Sequence, residues 1–361
     1  MRVLQVNYKM DIGGIESFLM NICRNIKEKD INFMFLTYND YKFDYEEELL
    51  KMNYKIIKIS NPNNVSVFKH INEIYNVIKE EKIDVVHCHT YFNSAYVMIA
   101  AKLAKVKVRI VHSHTTYGLK KDIFLKRIKW CISRTLINNL STKRIACSTE
   151  AGKSLFGNKS FEIIENGINV KDFHYDNKVR KIYRQQFKLK EDEFVIGHIG
   201  RFDYPKNHTF LLEIFEKILT IKENSKLILV GSGSLQDEIK KIAVKKNLES
   251  KVIFLGNRRD VNKILNTFDV FIFPSLYEGL PLTLVEVQAN RLPILVSNNV
   301  SKEIKLTEYI HFLSLEDGAS KWAEKAISLN KKRNSSKSVL EDSKYNIDNV
   351  ISKLVKIYRG V

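Results

Sequence analysis

Short apolar runs, rich in β-branched and aromatic residues, alternate with longer segments of helical period from the first residue of the chain. VLQVN (3 to 7) leads through a glycine turn into the helical IESFLMNICRNI. INFMFLTY, the helical VFKHINEIYNVIKEE, DVVHCH, the helical SAYVMIAAKLAK and VRIVHSH follow in that order. Apolar runs of this kind predict strands buried on both faces, and the helices between them predict crossovers that join parallel strands. The first half therefore reads as a doubly wound α/β domain.

The pattern then restarts. After IIENGINVKDF (163 to 173) and the charged KVRKIYRQQFKLKEDE come FVIGHIGR, the helical HTFLLEIFEKILT, KLILVGSG, the helical LQDEIKKIAVKKN, VIFLG, the helical DVNKILNTF, VFIFPS, the helical LTLVEVQAN and PILVS. A linker is expected near 170 to 190. It would separate a Rossmann-like domain at 1–175 from a second at 176–339, the two facing a central cleft, and the helical period of 340–361 lets that segment return to pack on the first domain. In open sheets of this kind ligands bind beyond the carboxyl ends of the strands, so the residues just after each strand are the candidates for chemistry.

Composition agrees with two domains. A chain of 361 residues, 44% of them apolar, is too long for one ordinary core and long enough for two of about 150 to 200 residues. Charge adds more: 59 Lys and Arg against 41 Asp and Glu leave a formal +18, which favours polyanionic partners such as nucleic acid, anionic lipid or phosphorylated substrates. Cys23, Cys88, Cys131 and Cys147 lack CxxC spacing, so neither a zinc site nor a disulfide framework is expected, and all four read as small buried residues of a reduced compartment. No apolar stretch approaches the ~20 residues that span a bilayer. The expectation is a soluble cytoplasmic protein able to sit on a membrane surface.

Several strand ends carry candidate chemistry. Gly13 and Gly14 follow the first strand and open a helix at Ile15-Glu16, a turn where main-chain N–H groups can approach an anion; the spacing is not GxGxxG, so a dinucleotide fingerprint is not supported. In GRFDYPKN, Arg201 and Lys206 follow a strand in a loop shaped by Pro205, where a guanidinium and an ammonium can converge on phosphate; against this stands the bland reading of two solvated cations among 59. Gly231 lies in a further glycine turn. His87 and His89 end one strand and His112 and His114 another, without a carboxylate at ligand spacing, so a cleft histidine that donates a hydrogen bond is favoured over a metal site. In PSLYEGLPLTLVE, Glu278 sits in a loop and Glu286 on the second turn of the following helix, whose first turn suits Pro281 and whose start offers free N–H groups between the two carboxylates.

Assembled in this order, the residues resemble the retaining glycosyltransferases of the GT-B fold, family 4 type, which include many enzymes of bacterial capsule and exopolysaccharide synthesis. The resemblance runs from the first strand to about residue 300 and is densest from 194 to 297. Its most specific part is the E-x7-E pair, Glu278 and Glu286; Arg201, Lys206, Gly13-Gly14-Ile15-Glu16 and Asn166-Gly167-Ile168 followed by Phe173 fall in family order. The resemblance implies a nucleotide-diphosphate sugar donor, with UDP as the expected carrier, held mainly by the second domain. Glu278 would hold sugar hydroxyls, Glu286 the ribose hydroxyls, and Arg201 and Lys206 the diphosphate, with the Gly14 N–H adding to them. His114 matches the family histidine that contacts the donor sugar near the reacting carbon, with His112 two residues away pointing the same way; the TTYGLKK that follows departs from the family's more common glycine or aspartate. Gly231, Arg258, Gly279, Leu280, Pro281 and Leu282 join the donor-binding set, and Glu16, His89 and Asn166 the acceptor side of the cleft. Cations and N–H groups aimed at a departing diphosphate lower the barrier without a metal, so neither a metal nor a cofactor is expected.

From Lys102 to Arg144 twelve basic residues face one acid, Asp122. Within this segment LKKDIFLKRIKWCISRTLINNL interleaves basic residues with Ile123, Phe124, Leu125, Ile128, Trp130 and Ile132, the pattern of an interfacial helix. It is expected to dock on an anionic membrane surface at the inner face of the cell membrane, with a polyprenyl-diphosphate-linked saccharide as acceptor; the bland alternative is a half-buried helix with a solvated basic face. Three other readings stay open. A glycoside hydrolase would leave Arg201 and Lys206 without a task, a nucleotide-sugar 2-epimerase would share the architecture, and a nucleic-acid-binding protein would explain the charge but leave the glutamate pair idle and would need a recognition module the sequence lacks.

Overall fold

A computed structural model of the chain describes residues 1–115, 124–278, 280–329, 333 and 339–361, with main chain only at 124–126. Two compact units result, Met1–Gly167 together with Ile347–Val361, and Ile168–Asn346. The first unit runs β1 (Arg2–Val6), α1 (Gly14–Asn25), β2 (Asn32–Thr37), α2 (Glu46–Lys51), β3 (Lys55–Lys58), α3 (Val67–Glu80), β4 (Val85–Cys88), α4 (Ser94–Leu103), β5 (Val108–Ser113), α5 (Phe124–Leu140), β6 (Lys143–Ala146), α6 (Thr149–Phe156) and β7 (Glu162–Ile163). The second runs α7 (Asn177–Gln186), β8 (Phe194–Ile199), α8 (His208–Ile221), β9 (Ser225–Val230), α9 (Gln236–Lys245), β10 (Val252–Phe254), α10 (Val261–Ile264), β11 (Val270–Phe273), α11 (Leu282–Ala289), β12 (Ile294–Ser297), β13 (Ile310–Leu313) and α12 (Gly318–Ser328); α13 (Ile347–Tyr358) belongs to the first unit.

Each unit is built on one parallel sheet, seven strands in the order β3-β2-β1-β4-β5-β6-β7 and six in the order β10-β9-β8-β11-β12-β13. The central strands are buried along their whole length, β4 as VVHC, β8 as FVIGHI and β11 as VFIF, which is why they read as continuous apolar runs. In both sheets the chain moves outward from the first strand to one edge and then restarts on its other side. That reversal places a crevice between β1 and β4 in the first unit and between β8 and β11 in the second, the position where doubly wound sheets bind ligands.

Both faces of each sheet are covered. In the first unit Phe18, Leu19 and Ile22 of α1 and Ile347, Val350, Ile351, Leu354, Val355 and Tyr358 of α13 form one core with Phe33 and Phe35, while Ile74 and Ile78 of α3 and Val97 and Met98 of α4 cover the other face. The apolar positions of α13 recur every three or four residues, so one stripe is buried. The charged segment 178–193, read above as lying in the linker region, instead forms α7 on the second unit. Asp269, at the start of β11, receives Arg180 at 2.6 Å and Arg184 at 3.6 Å and accepts a hydrogen bond from the Val195 N–H at 2.8 Å. A helix with little apolar surface is thereby held by charge-assisted bonds, a contribution that composition alone gives as solvated charge. Cys23, Cys88 and Cys147 are buried as expected, but Cys131 is exposed, because its position on α5 faces away from the sheet side where Ile137 is buried.

Candidate active site

At the crevice of the second unit the loops that follow β8 and β11 are joined by three bonds. Lys206 Nζ meets Glu278 Oε1 at 2.7 Å, the Leu276 N–H donates to the Pro205 carbonyl at 2.8 Å, and Asn207 Nδ2 donates to the Pro274 carbonyl at 3.2 Å. Lys206 and Glu278 are only 16% and 14% exposed, and the ammonium also lies 4.5 Å from the centre of the Phe273 ring. A pair this shielded is costly to break from one side, since the remaining partner becomes an uncompensated charge. Arg201 differs: its side chain is 78% exposed and its closest carboxylate oxygen, on Asp203, is 3.7 Å away. It is a cation with reach to spare beside a lysine already aimed at a carboxylate.

The glycine turn after β9 is dictated by these loops. Gly231 has φ +130°, and a Cβ there would come 2.1 Å from the Gly200 carbonyl oxygen, one residue before Arg201. Both the conformation and the close approach require glycine. Arg258 is held by Asp260 through bonds of 2.8 and 2.6 Å, and these, with a further bond from Tyr183, pull the Asp260 carboxyl down to about 2. Its guanidinium is therefore occupied, not free for a ligand in the way Arg201 is.

Pro281 stands at the N-cap of α11, one place before the first helical residue, and Glu286 follows on the second turn. Leu280 and Leu282 flank Pro281 and pack on the core of this unit, and Gly279 lies outside the described residues. Glu286 is half-buried, has no hydrogen-bond or ionic partner among the described residues, and its carboxyl is pushed up to about 7 by desolvation. A carboxylate so placed lacks hydrogen-bond donors, and a ligand with hydroxyl groups would supply them.

The first unit has a different chemistry at its crevice. Glu16 folds back over the turn: Asn7 Nδ2 donates to its Oε1 at 3.2 Å, and a Cβ on Gly13 would come 2.4 Å from its Oε2, so a larger residue at 13 would displace it. Above Gly14 there is open space, with nothing within 4 Å of where a Cβ would be. Burial raises the Glu16 carboxyl. His87, His89 and His112 are buried and His114 partly so, and the four rings are bonded in pairs, His89 Nδ1 to His114 Nε2 at 2.9 Å and His87 Nε2 to His112 Nδ1 at 3.3 Å. Asn166 Oδ1 lies 3.2 Å from His114 Nδ1. Burial holds His87 down to about 3 and His114 to about 4, so these imidazoles are neutral near pH 7.

His87, His89 and His112 come close enough together to suggest a metal centre. Five of their six ring nitrogens already have partners, leaving His112 Nε2 alone, so three ligand atoms would be released only by dismantling the bonds among the rings and with Gln5 and Tyr358. Hydrogen bonding therefore describes the cluster better than ligation.

The structure thus brings Lys206 and Glu278 into direct contact, puts Arg201 in the loop that carries Lys206, and sets Gly231 against the start of that loop. Sequence reasoning missed Gln5 and Tyr358, which touch the histidines from β1 and α13, and Asp269, which anchors α7. A polar residue inside an otherwise apolar first strand was the available signal for Gln5; Tyr358, 271 positions from His87, carried none.

Two doubly wound parallel sheets, one with ionic groups in the loops at its switch point, define a class, and sequence comparison agrees with it. The chain belongs to the family 4 glycosyltransferases of the GT-B fold: "Glycosyltransferase Family 4" matches residues 12–172, "Glycosyl transferases group 1" matches residues 179–339, and relatives match along the whole length. Among these, EpsF of Bacillus subtilis (strain 168), a protein named as a glycosyltransferase, is 33% identical over 99% of this chain and 96% of its own. A UDP-Gal:alpha-D-GlcNAc-diphosphoundecaprenol alpha-1,3-galactosyltransferase of Escherichia coli is 28% identical over 71% of this chain and 68% of its own, and the capsular polysaccharide biosynthesis glycosyltransferase CapH of Staphylococcus aureus is 26% identical over 87% and 86%. Anabaena HepE, solved in complex with UDP and glucose, shares the fold with a TM-score of 0.79 at 17% identity, covering all of both chains.

Proposed function

We propose that the protein transfers a sugar from a UDP-sugar to a lipid-linked saccharide during assembly of a surface polysaccharide, with retention of anomeric configuration. The observation that carries this reading is the β8–β11 crevice, where the shielded Lys206–Glu278 pair, the free Arg201 and the unpartnered Glu286 lie on one unit. Breaking the anomeric C–O bond leaves negative charge on the departing diphosphate. Arg201 forks onto its oxygens and Lys206 adds a compact charge, which stabilises that charge as it develops. Glu278, steadied by Lys206, accepts hydrogen bonds from the transferred sugar, and Glu286 accepts them from the ribose. Leu280, Pro281 and Leu282 bring the start of α11 towards the diphosphate, and the Gly231 turn lets main chain approach it. Because protein cations take the leaving-group charge, we assign no catalytic metal.

On the first unit we assign His114 to the transferred sugar, the Gly14 N–H to the diphosphate, and Glu16 and Asn166 to the acceptor side; His89, expected there from the sequence, is buried with both ring nitrogens bonded, to His114 and Gln5, and so backs His114 instead. UDP and a diphosphate-lipid acceptor are supported by the activity for which the E. coli relative is named. No helix among the described residues is long and apolar enough to cross a membrane. We assign docking on the inner face of the cell membrane to the start of α5, where exposed Ile128 and Ile132 lie beside exposed Arg127 and Lys129. The basic segment is not one surface, however. Lys107 precedes β5 and Lys143 begins β6, at the amino ends of these strands, and Arg109, Arg134 and Arg144 spend their guanidinium groups on main-chain carbonyls, those of Leu140, Ser154 and Ser160 among them. Trp130 is covered by Arg134 at 3.5 Å. Ile123, Lys120 and Lys121, with the side chains of Phe124, Leu125 and Lys126, lie outside the described residues.

The test is a thermal-shift screen of nucleotide sugars followed by transfer assays with diphospholipid-linked saccharides, with and without EDTA. A bound donor stabilises the fold in proportion to its affinity. Stabilisation by a UDP-sugar and EDTA-resistant transfer are expected; no stabilisation by any nucleotide sugar, or turnover of a simple glycoside alone, would overturn the reading.

A further inference from the structure

One run of hydrogen bonds crosses the first unit from the candidate site to the C-terminal helix. It passes from Asn166 Oδ1 to His114 Nδ1 at 3.2 Å, from His114 Nε2 to His89 Nδ1 at 2.9 Å, and from His89 Nε2 to Gln5 Oε1 at 2.9 Å. Gln5 Nε2 continues to the Tyr358 hydroxyl at 3.1 Å, that hydroxyl to His87 Nδ1 at 2.8 Å, and His87 Nε2 to His112 Nδ1 at 3.3 Å. Every group along it except His114 is buried.

A neutral imidazole carries one N–H and one lone pair, so in a run of neutral rings the direction of one bond sets the direction of the next. The His89–His114 pair lies between two carbonyl oxygens, those of Gln5 and Asn166. Facing both would take three N–H hydrogens where two neutral rings have two, and burial opposes a third. One of the two amides is therefore turned, since its oxygen and nitrogen are told apart only by the network they join. Either amide can be the turned one, so the run has two directions. With Asn166 turned the bonds pass from its amide through His114, His89, Gln5, Tyr358 and His87 to His112 Nδ1; with Gln5 turned they pass from the His112 Nδ1–H back to Asn166 Oδ1. In both, Gln5 and Tyr358 are the links that tie the tautomer of His114 to the rings behind it.

We propose that this run holds His114 in a single neutral tautomer, and that Gln5 and Tyr358 are positioning residues for sugar transfer. The catalytic part of this inference rests on the assignment of His114 to the transferred sugar; the tautomer does not.

The experiment is nitrogen NMR of the full chain labelled with 15N-histidine, on the wild type and on Tyr358→Phe and Gln5→Leu, with transfer kinetics on the same samples. The wild type is expected to show His114 as one neutral tautomer. Each variant is expected to show a mixture of tautomers and a kcat lowered roughly 5- to 10-fold with KM for the nucleotide sugar unchanged, as misorientation of a positioned group would give. Tyr358→Phe keeps the ring that packs in the core, and Gln5→Leu carries the test if that variant does not fold. A wild-type His114 divided between both tautomers, or a tautomer unchanged in both variants, overturns the proposal; altered tautomers with normal kcat overturn the positioning role. A wild type that transfers no sugar would count against the proposed function and leave the tautomer result standing.

Discussion

The two crevices share a topology and differ in charge. Between β8 and β11 a lysine, an arginine and two glutamates are gathered in loops, one ion pair closed and one cation and one carboxylate left open. Between β1 and β4, and on β5 beside them, four histidines are kept neutral by burial and bonded to one another. The same kind of parallel sheet thus carries ionic side chains in the loops beyond its strands in one unit and a cluster of neutral rings on its strands in the other. Burial depth is the cause: residues beyond the strand ends can stay ionised, whereas His87 and His112, within the strands, are 0% exposed and cannot.

The largest effect that would break this comparison is expected from Lys206→Ala. Removing it takes charge from the departing diphosphate and leaves Glu278 unpaired, so transfer should fall about 10²- to 10³-fold; activity within tenfold of wild type would place the leaving-group contact elsewhere. Acid should then separate the units. Five histidines of the first unit, these four and His70, are held below their usual value and stay neutral in the folded state while the unfolded chain binds protons, against His198 and His208 in the second, so the contribution is present above about pH 6.5, is lost as pH falls towards about 4, and is larger in the first unit. Hydrogen exchange should show the first unit opening before the second over that window, and simultaneous opening would contradict it.

Gly231→Ala combines a disfavoured φ with a clash against the Gly200 carbonyl and is expected to cost about 2–4 kcal/mol, measured by urea unfolding. Glu286→Gln should stabilise the ligand-free protein by on the order of 1–2 kcal/mol above pH 7. The Glu286 carboxyl is raised to about 7, so the wild type's relative stability is full below about pH 4.5 and is lost as pH rises through 7. The same substitution should weaken donor binding, and equal melting temperatures at pH 4.5 and 8 would remove the basis for that role. The smallest stability effect is expected from Arg201→Ala, which is exposed; melting should change by less than about 0.5 kcal/mol while transfer falls at least tenfold.

Much of the architecture was legible because buried parallel strands leave an unbroken apolar signature: VVHC, FVIGHI and VFIF announce themselves without context. KIIK and KRIA, short strands bounded by lysine or arginine, do not, and neither does α7, whose few apolar residues resemble a linker until Asp269 is placed beneath Arg180 and Arg184. Of the candidate site, the spacing of Glu278 and Glu286 and the loop from Arg201 to Lys206 were visible as local motifs. The ionic bond between Lys206 and Glu278, 72 positions apart, was not, nor was the difference between an open Arg201 and an Arg258 already held by Asp260.

The sequence alone determined the two α/β units, the order of their strands' chemistry and the residues at the strand ends, because hydrophobic period and strand-end position are properties of neighbouring residues. Only the tertiary structure decided which charges are paired, which carboxylate lacks a partner and how Tyr358 of the last helix reaches His87. Those depend on desolvation and on bonds between residues far apart in the chain, and both exist only once the sheets have formed.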